Sequence, residues 1–173
     1  GSGAWIEAEM GPGIDVVGGV SVDPVGRPLL PGFAPVVVIG SERSPEFQDV
    51  WRQAAAFAPE NLDVVFMNRD VIPVFASDQD NLYQADPSVP AVWFVNPGFS
   101  FYHTTEDTPI TIDYRVLVDD VQFLATAISL LGNTDARWNL QLTAAGVSTE
   151  KRAVIDAAAR LAVPGNAGLF RVG

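Results

Sequence analysis

Short apolar runs separated by turn residues predict buried strands in the first two thirds of the chain. The runs cover residues 36–40, 62–67 and 91–95, and glycine, proline or polar residues flank each of them. Continuous apolar runs of this length are typical of strands that are covered on both faces of a sheet. Residues 4–10 alternate imperfectly between apolar and polar side chains, which predicts a further short strand ending at Gly11.

Three other segments have the periodicity and capping residues of helices. The serine, proline and glutamate at residues 44–46 predict a helix that ends near Pro59. Asp113 caps a long amphipathic segment that continues to about Leu131, and a final helix over residues 148–162 precedes a short strand at 169–172. The inward face predicted for the long helix consists of Val116, Leu117, Val121, Leu124, Ile128 and Leu131.

The alternation of strands and helices indicates the fold class. It predicts an α/β domain in which helices cover both faces of a mostly parallel sheet, a three-layer α/β/α architecture. Because no internal repeat or low-complexity segment divides the chain, we expect one domain over residues 1–173.

Composition excludes several classes of function. The 173 residues are 48% hydrophobic and carry a formal charge of −11. This apolar content exceeds that of disordered chains, and Lys151 with nine scattered arginines provides no basic surface for a nucleic acid. The chain contains no cysteine, which excludes disulfides, thiolate zinc sites and cysteine nucleophiles. We expect no membrane span, because no apolar run is long enough, and the first residues lack the features of a signal peptide.

The most polar segment, residues 102–109, contains the single histidine of the sequence, His103. A loop that follows a buried strand lies at the carboxyl end of an α/β sheet, where ligands collect. Imidazole is the commonest metal ligand in proteins, and Glu106 or Asp107 could orient its second nitrogen. The alternative is a loop histidine bonded to the backbone, because a three-ligand zinc site would need carboxylates from elsewhere.

Three segments resemble the zinc-dependent aminopeptidase family, which also includes glutamate carboxypeptidase, glutaminyl cyclase and transferrin receptor. Residues 77–82 with 89–94 are similar to a Ser-Asp-His stretch and the strand after it, and residues 6–11 are similar to a strand that ends in an acid, Met and Gly. The resemblance covers residues 4–132, the C-terminal half of such a domain, and leaves 133–173 as a C-terminal helical extension. The most specific match is Tyr102-His103-Thr104-x-x-Asp107-Thr108-Pro109-x-x-Ile112-Asp113-Tyr114.

The resemblance implies roles for the matching residues in zinc-assisted hydrolysis of a peptide bond. His103 and Glu9 would be zinc ligands, and Asp107 would support His103. Asp78 would be a catalytic residue beside the substrate, and Tyr102 would line the substrate pocket. The neighbouring rings of Phe99 and Phe101 either complete an apolar pocket for a substrate side chain or pack at the edge of the domain.

The chain departs from the family pattern at the metal site. In the family, a bridging Asp, a His ligand, a general-base Glu and a further Glu ligand come from an earlier half, which this sequence lacks. A catalytic zinc needs about three protein ligands, an open water position and a base, so we expect the chain to be inactive by itself. Gln79 stands where the family usually has histidine, and its neutral amide cannot carry a proton.

Two interpretations remain open. The chain is either part of a zinc metallopeptidase, with a peptide substrate and the missing N-terminal half as partners, or a metal-free binding module that retains the fold. In both cases we expect an exposed strand edge or apolar face that favours self-association. The resemblance favours a secreted or periplasmic location, whereas the residues themselves leave the compartment open.

Overall fold

The computed structural model describes residues 2–10, 16–71, 77–85 and 88–133. The described residues all belong to one compact unit. The helix predicted at 148–162 and the strand predicted at 169–172 lie outside the described residues, as does nearly all of the predicted extension.

Four helices and four strands make up the described part of the chain. The predictions of strands at 36–40, 62–67 and 91–95 and of helices following Ser44 and Asp113 are confirmed. Short 3-10 turns occupy Ser41–Arg43, Arg69–Val71 and Pro109–Thr111. The elements are α1 (Ser2–Glu9), β1 (Gly19–Val22), β2 (Val36–Ile39), α2 (Pro45–Ala55), β3 (Val64–Met67), α3 (Gln79–Gln84), β4 (Ala91–Val95) and α4 (Tyr114–Gly132).

The four strands form one mixed sheet in the order β1-β4-β2-β3. β1 pairs with β4 in parallel and β2 pairs with β3 in parallel, whereas the central pair, β2 with β4, is antiparallel. The predicted α/β class is confirmed, and the sheet is mixed. The antiparallel central pair places the carboxyl ends of β1 and β4 at one end of the sheet, the β1/β4 end, and those of β2 and β3 at the opposite β2/β3 end.

An aromatic cluster joins α2 and α4 to one face of the sheet. The fully buried Trp51 of α2 lies 6.3 Å from Phe94 of β4 and 6.0 Å from Phe123 of α4, measured between ring centroids. Offset and edge-on rings at these distances attract one another in addition to burying apolar area. Caps fix both helix starts, because the Ser44 hydroxyl accepts from the Phe47 amide at 3.4 Å and the Asp113 carboxylate accepts from the Arg115 amide at 2.9 Å.

The other face of the sheet is also buried. Its cluster contains Val37 and Ile39 of β2 with Trp93 and Val95 of β4. Toward the amino-terminal ends of β1 and β4, α3 packs so closely on Gly19 that a Cβ at this position would force the Leu82 side chain to move. β1 and α3 were absent from the sequence prediction, because glycines interrupt the apolar run of β1 and α3 has only six residues.

One sequence prediction is wrong, and another is correct only in part. Residues 4–10 belong mainly to α1 rather than to a strand, consistent with the high helix propensity of alanine and glutamate in that segment. Of the inward face predicted for α4, Leu124 and Leu131 pack against the core. Val121 and Ile128 are exposed, and the buried positions of the helix are Asp120, Phe123 and Ala127. The prediction assumed that only apolar residues face the core, whereas α4 directs a carboxylate inward.

No helix in the described ranges is both long enough and apolar enough to cross a membrane.

Candidate functional site at the carboxyl ends of β1 and β4

A buried polar network forms at the β1/β4 end. Asn96 follows β4 directly, is fully buried, and accepts a hydrogen bond from the Arg27 amide at 3.0 Å through Oδ1. Its Nδ2 donates to the Pro35 carbonyl at 3.1 Å and to the Asp120 carboxylate of α4 at 3.2 Å. Asp120 also accepts from the Gly26 amide at 3.0 Å, so one network links the loop after β1, the end of β4 and α4.

The carboxylate of Asp120 is almost completely inaccessible to solvent. Burial raises the pKa of Asp120 above its ordinary value of 3.8, and the hydrogen bonds from Gly26 and Asn96 oppose that rise. Both carboxylate oxygens accept hydrogen bonds, which offset part of the cost of burying this group. We therefore interpret Asp120 as a positioning residue that holds the loop after β1.

The guanidinium of Arg27 connects this network to the loop that carries the histidine. Arg27 is only 7% exposed, and its Nη2 donates to the carboxylate of Asp107 while Nη1 donates to the Thr111 hydroxyl. The same guanidinium lies 6.0 Å from the ring centroid of Phe101. A buried guanidinium needs a compensating carboxylate, so Asp107 is bound by Arg27 in this structure. The predicted support of His103 by Asp107 stays a prediction.

Aromatic rings cover the surface next to this ion pair. Phe99 lies 6.4 Å from Trp93 and 5.6 Å from Tyr102 between ring centroids, and the His103 ring stacks on that of Tyr102 at 3.9 Å. We name these four side chains the aromatic ledge. Phe99 and Tyr102 are partly exposed and His103 is exposed, so the ledge combines apolar faces with an accessible polar edge.

Asp23, at the carboxyl end of β1, holds the ledge in place. The Tyr102 hydroxyl donates to the Asp23 carboxylate at 2.9 Å, and the Trp93 indole N–H donates to the Asp23 carbonyl. Burial and the hydrogen bond to Asp23 both raise the pKa of Tyr102 above its ordinary value. The phenol is therefore kept in its protonated, donating form at neutral pH.

His103 has a backbone φ of 59°, in the left-handed region. Non-glycine residues are uncommon there, although histidine is among the enriched types. The tight turn places the imidazole on the outer face of Tyr102, exposed to solvent. His103 is thus at the β1/β4 end, where its position after a buried strand predicted it to lie.

Glu9 and Asp78, the other residues implied by the resemblance, belong to different elements. Glu9 is exposed at the last position of α1. Asp78 directly precedes α3 and accepts a hydrogen bond from the Ser2 hydroxyl of α1 at 2.6 Å. α3 packs on the amino-terminal ends of β1 and β4, whereas the His103 loop leaves β4 at its carboxyl end.

The ligands that the described residues bring together do not amount to a catalytic zinc site. Such a site requires about three nitrogen, sulfur or oxygen ligands from the protein. In the described ranges, no three histidine, aspartate or glutamate side chains come together in a group able to hold a metal ion. The arrangement of Glu9, Asp78 and His103 therefore does not fit a catalytic zinc by itself.

A second polar cluster lies at the β2/β3 end. Glu42 accepts a hydrogen bond from the Arg69 amide at 2.9 Å, and the Arg69 guanidinium donates to both carboxylate oxygens of Asp80 at 2.9 and 2.8 Å. The Arg43 guanidinium lies 4.5 Å from the ring centroid of Tyr83 in α3. Burial raises the pKa of Glu42 and of Tyr83. These contacts attach α3 to the ends of β2 and β3.

Gln79, which stands where the resembled family usually has histidine, is fully buried on α3. Among the described residues, neither its amide oxygen nor its amide nitrogen has a hydrogen-bond partner. A buried amide is a neutral group, so this position contributes no charge to the cluster around Tyr83.

Sequence reasoning missed the residues that organise the β1/β4 end: Asp23, Arg27, Asn96 and Asp120. Two of them carried a usable signal. Asn96 directly follows a continuous apolar strand, the position at which side chains reach the carboxyl end of a sheet, and Asp120 interrupts an apolar stretch of a long helix. Arg27 lies in a segment that is rich in glycine and proline and has no periodicity, so no pattern in the neighbouring sequence indicated that it would be buried.

Comparisons of the chain with protein-family models, with curated proteins and with solved structures find no match.

Proposed function

We propose that this chain is a metal-free binding module of three-layer α/β architecture that uses the aromatic ledge to hold a peptide segment with an apolar side chain. The observation that carries the proposal is the pairing of Asp107 with the buried Arg27. That pairing uses Asp107, the carboxylate of the resembled motif, to compensate a buried charge. The aromatic ledge contributes partly exposed rings at the same end of the sheet.

The chemistry of the ledge favours an apolar side chain with a polar neighbour. The partly exposed rings of Phe99 and Tyr102 offer apolar contact, while the exposed imidazole of His103, stacked on Tyr102, offers a donor or acceptor. Aromatic side chains flanked by a few fixed polar groups are typical of small binding sites. Asp23 fixes the orientation of Tyr102, so the surface is organised before a ligand arrives.

Titration with short peptides tests this function directly. We expect a peptide with a leucine or phenylalanine side chain to shift the NMR resonances of the Trp93 indole and the His103 ring, and an all-glycine peptide of equal length to leave them unchanged. Tyr102→Ala should weaken the interaction by about tenfold, the loss expected for an aromatic contact of about 1.4 kcal/mol. Phe57→Ala, which removes a 73% exposed ring elsewhere, is the matched control. Equal responses to the leucine and glycine peptides would contradict the proposal.

The second candidate is part of a zinc metallopeptidase that hydrolyses peptide bonds, with His103 and Glu9 completed by ligands from another polypeptide segment. The exposure of both side chains favours this candidate, because both are accessible to added groups. Calorimetric titration with zinc chloride separates the two functions. The metal-free module predicts no stoichiometric binding by the wild type or by His103→Ala. Tight binding that is lost in His103→Ala would overturn it in favour of the metallopeptidase.

A further inference from the structure

α4 presents a second apolar surface on the side that faces away from the core. Tyr114, Val118, Val121 and Ile128 are 50–59% exposed, and Ala125 between them is also exposed. We call these five residues the α4 stripe. Their spacing along the helix is four, three, four and three residues, so they form a continuous band.

The spacing of the α4 stripe is that of a helix-pairing seam. Apolar residues that alternate at intervals of three and four occupy the contact positions of paired helices. The residues that attach α4 to its own core are different ones, centred on Asp120, Phe123 and Ala127. Since those inward positions already anchor α4, the residues that the structure describes leave the stripe open to contact another helix without disturbing their packing.

We propose that the α4 stripe pairs with the α4 stripe of a second copy of this chain, with the two helices antiparallel. In the antiparallel register whose two-fold axis lies between Val118 and Val121, Val118 of each copy packs on Val121 of the other. Tyr114 then lies opposite Ala125, which combines the largest side chain of the stripe with the smallest.

The same register also provides a contact for the most exposed apolar residue of this region. Ile110, in the 3-10 turn before α4, is 91% exposed. In the antiparallel pair Ile128 reaches the turn Pro109–Thr111 of the other copy, so Ile110 gains an apolar neighbour. Every member of the stripe therefore has an apolar counterpart within an identical surface, as a two-fold interface requires.

The charges beside the stripe permit self-association of a chain with a formal charge of −11. The exposed side chains that flank the stripe on its polar side are Arg115, Gln122 and Ser129. In the pair, Arg115 of one copy lies near Gln122 of the other, and none of these flanking residues places a carboxylate opposite another carboxylate. These flanking side chains therefore add no repulsion between carboxylates at this surface.

The size of the surface indicates a weak dimer. The stripe spans about 21 Å of helix, from residue 114 to residue 128, at about 1.5 Å per residue. A contact of this length lies at the low end of specific protein interfaces, which are about 800 Å² per partner. We therefore expect a dimer that forms and dissociates with concentration in the micromolar range. This inference is independent of the proposed function, because the aromatic ledge is not part of the stripe.

Sedimentation equilibrium tests the dimer and its location. The wild type should change from monomer to dimer with rising concentration, and Val118→Glu should raise the dissociation constant by about a hundredfold, because two carboxylates would be buried near each other. Phe57→Glu places the same charge on another exposed apolar residue and should leave the dimer unchanged. Circular dichroism and thermal unfolding verify that each variant is folded. A wild type that remains monomeric, or a Val118→Glu variant that dimerises as well as the wild type, would overturn the proposal.

Disulfide trapping tests the antiparallel register, since the chain contains no cysteine. A disulfide forms only when the two Cα atoms are within about 7 Å. Tyr114→Cys mixed with Ala125→Cys should give a crosslinked heterodimer, whereas each variant alone should give none, because identical positions are about 16 Å apart along the antiparallel pair. Crosslinking of either variant with itself would overturn the antiparallel pairing. Failure of the mixture to crosslink would overturn the register.

Discussion

Arg27 and Asp107, 80 positions apart in the sequence, form an ion pair beside the candidate site, with the guanidinium buried and the carboxylate partly exposed. The pair joins the loop after β1 to the loop after β4, the two loops that converge because β1 and β4 are parallel neighbours. A guanidinium in this position depends on its carboxylate, since a buried charge without a partner destabilises the folded state.

Removal of Asp107 should therefore destabilise the protein more than removal of a neighbouring acid. We expect Asp107→Ala to lower the free energy of unfolding by about 1–3 kcal/mol, because Arg27 loses a charged hydrogen-bond partner. Glu106→Ala, at an exposed neighbouring position, should change it by less than about 0.5 kcal/mol. Urea unfolding followed by circular dichroism measures both values. Equal effects of the two substitutions would show that the ion pair contributes nothing specific.

Glu42 should make stability depend on pH. Burial raises the pKa of Glu42 above its ordinary value of 4.5, so the folded state binds the proton more tightly than the unfolded state does. The stabilising contribution is complete below pH 4.5 and is lost as the pH rises through the pKa of the folded state. Glu42→Gln keeps an acceptor for the Arg69 amide and removes the ionisation.

We expect Glu42→Gln to gain stability relative to the wild type as the pH rises from 4 to 7. Unfolding free energies of both proteins across this range give the measurement. Glu60→Gln, at an exposed position, is the control for removing one carboxylate from an acidic chain. A difference between Glu42→Gln and the wild type that is constant with pH would contradict the burial of this charge.

The hydrogen bond between Tyr102 and Asp23 should be visible in a spectroscopic titration. Burial is the main cause of the raised pKa of Tyr102, and the carboxylate of Asp23 adds to it. Asp23→Asn removes the negative charge, so the pKa of Tyr102 should fall toward its ordinary value of 10.0 and remain above it. The phenolate absorbance reports the titration, and Tyr102→Phe identifies the relevant transition. An unchanged titration in Asp23→Asn would rule out this contact in solution.

Trp51 should contribute more to folding stability than the half-exposed Trp5. Its indole is fully buried among Phe47, Phe94 and Phe123, so Trp51→Ala should lower the free energy of unfolding by about 3–5 kcal/mol through lost burial and the resulting cavity. Trp5→Ala removes a half-exposed ring from α1 and should cost less than about 1 kcal/mol. Denaturant unfolding of both variants compares the two sites, and similar losses would contradict the described core.

The elements that can be recognised from the sequence are those whose residues interact locally. The apolar runs at β2, β3 and β4 and the caps Ser44 and Asp113 depend on side-chain period and on hydrogen bonds within one turn, and both can be recognised from neighbouring residues. The position of His103 after a buried strand was predictable for the same reason. Its exposure and its stacking on Tyr102 follow from a left-handed turn that the residue types did not specify.

Which residues share a site depends on how distant parts of the chain pack together. Because β2 and β4 pair antiparallel, their carboxyl ends lie at opposite ends of the sheet, whereas in a parallel sheet they would lie at the same end. The direction of a strand is set by contacts between residues far apart in the sequence. The inward carboxylate of Asp120 is tolerated because Gly26 and Asn96, each more than 20 residues away, donate hydrogen bonds to it. Patterns of neighbouring residues indicate the secondary-structure propensity of a segment and which of its residues are apolar enough to be buried. The pairing of Arg27 with Asp107 and the exposure of Val121 result instead from how whole elements pack against one another.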